Sequence, residues 1–311
     1  MLSRRLRWKL ARARDRLRAT WETLFRAQPK PRVCFSCGRL VGANEKACSN
    51  CGASQAPLSL SAFKRIALAV IPAENPITYA LLFANVLFYA VGWIVSQRGD
   101  AGGGLFGRLD ANVLLLLGAK YGPNIFFLGE YWRLVMPNFL HFDLLHLAFN
   151  SFVLWQVGPQ VEELFGSRRF LFLYLATGIV GFGLSLWWYD LHGRPALSVG
   201  SSGAIFGLIG VLISYITQSA GFAAQYRASL IRWAVFILIM GIFLPFDNAA
   251  HLGGVLTGLV LGRVVSDRRP ATLGQRFTVG LMGWGSAAVI LASVALTLLH
   301  LRPIGSWPVL D

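Results

Sequence analysis

The sequence that decides the fold is residues 249–264, AAHLGGVLTGLVLGRV, which are apolar except for one histidine, one threonine and one arginine. Three glycines follow His251 at steps of three, four and four residues: Gly254, Gly258 and Gly262. On a helix this spacing forms a ridge of small residues on the face below the histidine. Such ridges let two helix backbones approach closely inside a membrane. The stretch is therefore interpreted as a membrane helix that packs against a second glycine-rich helix.

A matching ridge lies in residues 200–217, GSSGAIFGLIGVLISYIT, and consists of Gly203, Gly207 and Gly210. Ser202 stands at the start of this predicted helix, between Gly200 and Gly203, which allow a tight turn and a close backbone approach. Unpaired backbone N–H groups at a helix start carry the positive end of its dipole, which suits a developing oxyanion. If the two ridges pack together, Ser202 and His251 come within hydrogen-bonding reach.

The whole chain has the composition of a membrane protein, since 55% of its 311 residues are hydrophobic and only 14% are charged. About 20 consecutive apolar residues are needed to cross the hydrocarbon as a helix. The sequence predicts seven spans, at roughly residues 77–97, 140–157, 170–189, 202–217, 231–246, 249–264 and 278–299. The predicted fold class is an all-α polytopic membrane protein.

Positive charge is concentrated on one side of these predicted spans. With the N-terminus in the cytoplasm, the inside segments hold 23 Lys and Arg residues and the outside segments hold six. The positive-inside rule therefore predicts a cytoplasmic N-terminus. Residues 1–76 contain 15 of the 29 basic residues, so the net charge of +15 reflects a local excess. Nucleic acid is for this reason not an expected partner.

The basic excess begins with residues 1–30, where apolar residues recur at helical spacing among arginines. This pattern predicts a basic amphipathic helix. We expect the helix to lie on the anionic cytoplasmic leaflet of the lipid bilayer. The alternative is a solvated arm that only fixes the topology.

Residues 31–53 contain all four cysteines, in two Cys-x-x-Cys-Gly pairs: Cys34 and Cys37, then Cys48 and Cys51. Two such knuckles supply the tetrahedral four-sulfur site that zinc prefers. Disulfides are the alternative, which a reducing cytoplasm disfavours. Four thiolates leave zinc no open position, so we expect a structural zinc ribbon and no cofactor for catalysis. Residues 54–76 follow as a linker.

Four polar residues lie at similar depth within the predicted spans: His146, Asn150, Ser202 and His251. The second, fourth and sixth predicted spans all run from the outside to the inside, because one span separates each from the next. The four side chains are therefore expected below the outer face. His146 and Asn150 are four residues apart and project from one helix face. Polar side chains are costly in hydrocarbon, so each is a functional candidate. Taken singly, each also has an ordinary interpretation, because a membrane serine commonly bonds to its own helix and a histidine bridges helices.

Five motifs in residues 121–262 resemble the rhomboid family, in the order that the family has them. They are Trp132-Arg133, His141 with His146-Leu147-Ala148-Phe149-Asn150, the spaced Gly158, Glu162 and Gly166, the Gly-x-Ser-Gly of residues 200–203, and Ala250-His251-Leu252-Gly253-Gly254. The resemblance implies a six-helix core over residues 77–266, with a short central helix that begins below a water-filled cavity. Residues 267–311 are then an additional C-terminal transmembrane helix and tail.

The resemblance also implies an intramembrane serine endopeptidase with a Ser/His dyad and no aspartate. Ser202 attacks, and His251 takes its proton and passes it to the leaving amine. His146, Asn150 and the backbone N–H of Ser202 form the oxyanion hole. Ser201 stands at a variable position of the motif and is not a second nucleophile.

Four further residues are expected to support this site. Phe206 matches an aromatic position that packs on the catalytic histidine in the family. Gly200, Gly203 and Gly254 allow the close backbone approach.

The expected partners are single-span or multi-span membrane proteins, cleaved near the extracytoplasmic boundary of the inner membrane of a bacterium. The predicted span at residues 231–246, with the loop of residues 244–248, is the expected gate for a substrate. The main alternative is a catalytically silent rhomboid relative that binds membrane proteins and directs their fate. Such relatives lose the serine or the histidine, and this chain has both. A transporter is less favoured, because its inverted repeats are not seen in the sequence.

Overall fold

The computed structural model describes residues 32–33, 39–42, 45, 47–50, 74–97, 107–216 and 222–301. The chain divides into two compact units, residues 1–70 and 71–311.

The first unit contains an antiparallel pair of short strands, β1 (Arg32–Val33) and β2 (Leu40–Val41). Cys48 is buried beside Val41. The other three cysteines of the predicted zinc ribbon lie outside the described residues, as do the predicted helix of residues 1–30 and residues 54–73 of the linker. The ribbon and the basic helix therefore stay predictions.

The second unit is helical in the part of the chain that the structure describes. Its α-helices are α1 (Pro76–Ser96), α2 (Ala111–Leu116), α3 (Gly122–Leu128), α4 (Leu144–Phe165), α5 (Ser167–Ser185), α6 (Ser202–Tyr215), α7 (Phe222–Phe243), α8 (Asn248–Val264) and α9 (Leu273–Leu299). Two 3₁₀ turns, Tyr131–Leu134 and Met136–Phe139, precede α4, and a π-helical turn, Leu186–Asp190, extends α5. The all-helical class predicted from the sequence is confirmed.

Four of the described helices are long and apolar enough to cross a membrane: α1, α5 with its π-helical turn, residues 223–243 of α7, and α9. Helices also occupy the places of the other three predicted spans. Of these, α6 has only 14 residues and α8 has 17, while α4 carries the polar residues His146, Asn150, Glu162 and Glu163. The number of helices that cross the membrane therefore stays a prediction.

Two helices have limits that differ from those of the roughly predicted spans. The span predicted at residues 140–157 is α4, which begins at Leu144 because the Asp143 carboxylate caps it, accepting from the backbone N–H of His146 at 2.7 Å. It ends before Gly166, whose φ of 78° breaks the helix. The span predicted at residues 231–246 is α7, which already begins at Phe222. Apolar counting finds the hydrophobic part of a helix and not its capped ends.

The central helix is α6, of which 11 of the 14 residues are buried. It contacts α4, α5, α7 and α8. A Cβ added at Gly254 of α8 would overlap the carbonyl oxygen of Gly203, and one at Gly258 would overlap that of Gly207. The close approach of the two glycine ridges is thereby confirmed. It brings the N-terminal ends of α6 and α8 together.

A buried carboxylate joins three helices. Glu162 of α4 accepts from the backbone N–H groups of Ile77 and Thr78 at 3.1 and 2.8 Å. It also accepts from the hydroxyls of Thr78 and Ser167 at 2.8 and 2.6 Å. The unpaired N–H groups at the start of α1 are thus capped by a residue of α4, which fixes α1 against α4 and α5.

The segment between α2 and α4 is held by buried charged groups. Arg133 donates to the backbone carbonyls of Leu115 and Ala119 at 2.7 and 3.1 Å. The Nζ of Lys120 lies 2.5 Å from the Oδ2 of Asp190, and the two side chains are 0% and 2% exposed. A buried charge is tolerated when it is paired and hydrogen-bonded. These groups therefore hold the segment in one place relative to the end of α5.

Candidate active site

Ser202 is the first residue of α6, and His251 lies one turn into α8. The Oγ of Ser202 lies 2.9 Å from the Nε2 of His251. His251 is buried and Ser202 is half-buried. A serine hydroxyl within hydrogen-bonding distance of an imidazole is the arrangement of a nucleophile with its general base.

The imidazole ring of His251 is packed among aromatic rings. Phe206, one turn after Ser202 on α6, stacks on it with the ring centroids 4.4 Å apart and the planes at 6°. Phe246 lies against the same imidazole at 6.3 Å and 60°. This packing limits rotation of the ring and keeps the Nε2 directed at the serine.

Gly200 brings the backbone before α6 against His146. Its φ is 129°, a conformation that L side chains rarely adopt. Its N–H donates to the carbonyl of Pro137 at 2.9 Å. A Cβ at this position would lie 2.8 Å from the Nε2 of His146, which is too close for two unbonded atoms. Both the backbone angle and the space therefore require glycine here.

His146 and Asn150 direct two N–H groups to the space beside Gly200. The backbone N–H of Phe142 donates to the Nδ1 of His146 at 3.4 Å, which assigns the ring proton to Nε2. The Nδ2 of Asn150 is buried and has no hydrogen-bond partner among the described residues. These two nitrogens lie 2.8 and 3.6 Å from the place of an added Cβ on Gly200. A polar atom bound beside this glycine would have two donors available.

Ser201 is fully enclosed, with 0% of its surface exposed. Its Oγ lies 3.4 Å from the Nε2 of His141, in the segment before α4. Because it is enclosed, Ser201 is not accessible to a substrate.

No group of three or more His, Cys, Asp or Glu side chains is placed to hold a metal ion in the ranges that the structure describes. Three of the predicted zinc ligands, Cys34, Cys37 and Cys51, fall outside these ranges. Cys48 is buried at 3% exposure. A buried thiol beside a two-stranded hairpin fits the donor chemistry of a four-thiolate zinc site.

Asp247 lies near the site and was not among the residues that the sequence pattern indicated. Its carboxylate caps α8 by accepting from the backbone N–H of Ala250 at 2.9 Å. It also accepts from the hydroxyls of Ser185 and Ser198 at 2.5 and 2.6 Å. An aspartate directly before a helix is a capping signal that the sequence contains. The two serines are 62 and 49 residues away, so local sequence does not indicate them.

The residues of this site lie in a part of the chain that matches a known protein family. Residues 128–268 match the family model of the rhomboid domain. The matched range includes Ser202, His251, His146 and Asn150.

Several curated relatives are similar to the chain. It is 33% identical over 199 residues to the rhomboid protease GluP of Bacillus subtilis (strain 168), covering 62% of this chain and 36% of the relative. It is 32% identical over 183 residues to rhomboid-like protease 3 of Toxoplasma gondii, covering 57% and 65%. It is 33% identical over 138 residues to the putative rhomboid protease YdcA of Bacillus subtilis (strain 168), covering 43% and 66%. The aligned regions span between about a third and two thirds of the length of these relatives.

The apolar helices and these relatives together define an integral membrane protein. The domain match and the relatives support its assignment to the rhomboid family. These relatives are named as proteases, so intramembrane proteolysis is the activity to consider.

Proposed function

We propose that the chain is a serine-type intramembrane endopeptidase that cleaves membrane proteins through a Ser202/His251 dyad. The observation that carries the proposal is the 2.9 Å distance between the Oγ of Ser202 and the Nε2 of His251. The similarity of the same region to rhomboid proteases supports it.

In the first step the Oγ of Ser202 attacks the carbonyl carbon of the scissile peptide bond, and its proton passes to the Nε2 of His251. The Nδ1 of His251 has no hydrogen-bond partner among the described residues. The ring is therefore oriented by its packing on Phe206 and not by a carboxylate. This is the arrangement of a dyad.

The carbonyl oxygen gains a negative charge when the serine attacks. His146 and Asn150 are placed to donate to this oxygen, since their N–H groups face the space beside Gly200. The backbone N–H of Ser202, at the start of α6, adds a third donor and the positive end of the helix dipole. Donors that are fixed before the reaction stabilise the transition state without reorganising.

The tetrahedral intermediate collapses when His251 gives its proton to the leaving amine nitrogen and the C–N bond breaks. An ester on Ser202 remains. A water molecule then gives a proton to His251 and attacks the ester carbonyl. The second intermediate releases a carboxylic acid and restores the serine hydroxyl, so one water is consumed for each peptide bond cleaved.

The scissile bond should lie near the extracytoplasmic end of the substrate's membrane span. Ser202 and His251 both stand at the N-terminal ends of their helices, and the positive-inside rule directs these ends outward. A helix in hydrocarbon keeps its backbone hydrogen bonds internal, so a substrate must unwind to expose a carbonyl. Gly or Pro near the outer boundary assists unwinding, and small side chains fit beside the glycines at positions 200 and 203.

Substrates reach the dyad most directly past α7. Of the four apolar helices, α7 is the least enclosed, with 11% of its most apolar window buried against 56% for α5. The loop Leu244–Asn248 that follows it contains Pro245 and no Lys or Arg. We assign the gate to α7 and the start of this loop, because Asp247 near the end of the loop is held by Ser185 and Ser198.

The remaining parts of the chain are accessory in this proposal. Cys34, Cys37, Cys48 and Cys51 would hold one zinc ion, which would supply a structural cross-link and no chemistry. The zinc ribbon and the basic helix of residues 1–30 would lie on the cytoplasmic side of a bacterial inner membrane. The lipid bilayer and membrane protein substrates are the partners.

A single-span substrate with a tag on each end tests the proposal in membranes. Wild type should release a fragment whose new N-terminus lies in the outer half of the span, while Ser202→Ala and His251→Ala should release none. Ser201→Ala is the matched control and should retain most of the cleavage. Full cleavage by Ser202→Ala contradicts the dyad, and a cut in the cytoplasmic half contradicts the orientation.

The natural substrates can be found by comparing released proteins. Cells with the wild type and cells with Ser202→Ala differ in one hydroxyl group, so extracytoplasmic fragments enriched only in the first identify substrates. An identical set of fragments from both cells contradicts the proposed activity.

A further inference from the structure

We infer that Asp247 is a positioning residue, which holds the segment before Ser202 and the start of α8 at the separation that the Ser202–His251 pair needs. The inference rests on the proposed function, and it adds to it a carboxylate that touches neither the substrate nor the imidazole nitrogens.

The Asp247 carboxylate joins three parts of the fold. Its Oδ1 accepts from the backbone N–H of Ala250 at 2.9 Å, in the first turn of α8. Its Oδ2 accepts from the hydroxyl of Ser185 at 2.5 Å, at the end of α5, and from that of Ser198 at 2.6 Å, in the segment before α6. One side chain thus connects α5, α8 and the segment that leads to the nucleophile.

The two bonds at Oδ2 come from hydroxyl donors, and both are short. Hydroxyl donors to a carboxylate give short bonds of about 2.5–2.7 Å, which are roughly twice as strong as bonds between neutral groups. Ser185 and Ser198 are 0% and 5% exposed. Water therefore competes little for their hydroxyls, and the pair of bonds holds Asp247 in place.

The two residues that form this connection stand at the same distance along the chain from the two residues of the dyad. Ser198 precedes Ser202 by four residues, and Asp247 precedes His251 by four residues. The bond between the Ser198 hydroxyl and the Asp247 carboxylate therefore links the two segments just before the nucleophile and the base. Loss of this hydrogen bond should therefore change the 2.9 Å distance between the side chains of Ser202 and His251.

Ser198 is itself fixed on its other side. Its backbone N–H and carbonyl exchange hydrogen bonds of 3.0 Å with the backbone of Lys120. The Nζ of Lys120 in turn contacts Asp190 at 2.5 Å and donates to the carbonyl of Ala196 at 3.2 Å. The segment before α6 is thus anchored, so the Asp247 side chain positions α8 against a fixed support.

Substitution can separate this role from ordinary helix capping. Ser is a good capping residue, so Asp247→Ser keeps the bond to the first turn of α8 but is too short to reach both serines. Asp247→Asn keeps the length and the capping oxygen and loses the charge. Ser198→Ala removes the link from the other side and leaves the cap intact.

The experiment measures the rate at which a fluorophosphonate probe labels Ser202 in the full-length protein, together with kcat and KM for a tagged single-span substrate. A displacement of about 1 Å at a reacting group costs on the order of a hundredfold in rate. We expect Asp247→Ser to lower the labelling rate and kcat at least about tenfold at an almost unchanged KM. Asp247→Asn should keep part of the rate. Asp247→Ser combined with Ser198→Ala should be no slower than Asp247→Ser alone.

Thr272→Ala is the matched control, because it removes the capping side chain of α9, far along the chain from the dyad. It should label and cleave at the wild-type rate. Labelling of Asp247→Ser at the wild-type rate overturns the inference and leaves the proposed function intact. So does a double variant whose loss of rate is the product of the two single losses, because the two side chains then act independently. If Asp247→Ser does not fold, Ser198→Ala decides, and a wild-type rate in that variant overturns the inference. No labelling of Ser202 in the wild type overturns the proposed function and the inference with it.

Discussion

The ring of Phe206 stacks on the imidazole of His251, with centroids 4.4 Å apart and planes at 6°. Aromatic pairs of this kind contribute about 0.5–1.5 kcal/mol beyond the area they bury. Phe206→Ala should therefore lower kcat by roughly two- to tenfold, because His251 loses the surface that orients it. Phe206→Tyr keeps the ring and should retain most of the activity. The measurement is kcat for a tagged substrate in detergent or reconstituted membranes.

The control for this substitution is Phe277→Ala, since Phe277 is 71% exposed on α9. It should leave kcat unchanged. A folded Phe206→Ala protein with wild-type kcat would show that the stacking does not orient the imidazole.

Asn150 should act mainly in the transition state. Its Nδ2 lacks a partner among the described residues and faces the space beside Gly200, together with the Nε2 of His146. Loss of one donor to an oxyanion costs on the order of a hundredfold or more in turnover. Asn150→Ala should lower kcat by about this factor and change KM little.

Gln156→Ala, at an exposed position of the same helix, is the control for Asn150→Ala and should behave as wild type. Steady-state cleavage at varied substrate concentration separates kcat from KM. If Asn150→Ala raises KM alone, the side chain binds the substrate and does not stabilise the oxyanion.

Gly254 should not tolerate even one methyl group. An added Cβ would overlap the carbonyl oxygen of Gly203, and a backbone atom in a packed helix cannot move aside. Extra atoms in a close-packed interior cost typically about 1–3 kcal/mol. Gly254→Ala should therefore lower the unfolding temperature and the activity together. Gly280→Ala on α9, where an added Cβ meets no atom within 4 Å, should change neither. Equal unfolding temperatures for the two variants would contradict the close packing.

The zinc ribbon has a test that is independent of activity. Purified full-length protein should contain about one zinc ion per chain, because four thiolates complete one tetrahedral site. Cys48→Ser should lower the zinc content. Removing residues 1–55 should abolish metal binding and spare cleavage of the tagged substrate. A metal-free wild-type protein would contradict the ribbon, and a cleavage defect in the truncated protein would give the ribbon a larger role.

Periodicity in the sequence is sufficient to predict how the two central helices meet. Glycine has only a hydrogen atom as side chain, so the main use of a glycine ridge in a membrane helix is close packing against another helix. Gly254 of α8 indeed contacts Gly203 of α6. The spacing of four residues between His146 and Asn150 likewise predicts their common helix face, since residues four apart lie one above the other on a helix.

Other features depend on contacts that no local pattern encodes. Asp247 finds Ser185 and Ser198 only after α5, α8 and the segment between α5 and α6 have come together. The limits of α4, in contrast, are set by two local signals that a count of apolar residues does not use, the Asp143 cap and the φ of Gly166. The three cysteines outside the described residues and the orientation in the membrane stay predictions.

Mapping of a fluorophosphonate adduct tests most directly whether Ser202 is a nucleophile activated by His251. The full-length protein is treated with the probe in membranes, digested, and analysed by mass spectrometry to locate the modified residue. The 2.9 Å contact between the two side chains predicts one adduct on Ser202, none on the enclosed Ser201, and none in the His251→Ala variant. An adduct on another serine, or undiminished labelling of Ser202 in His251→Ala, would contradict the dyad.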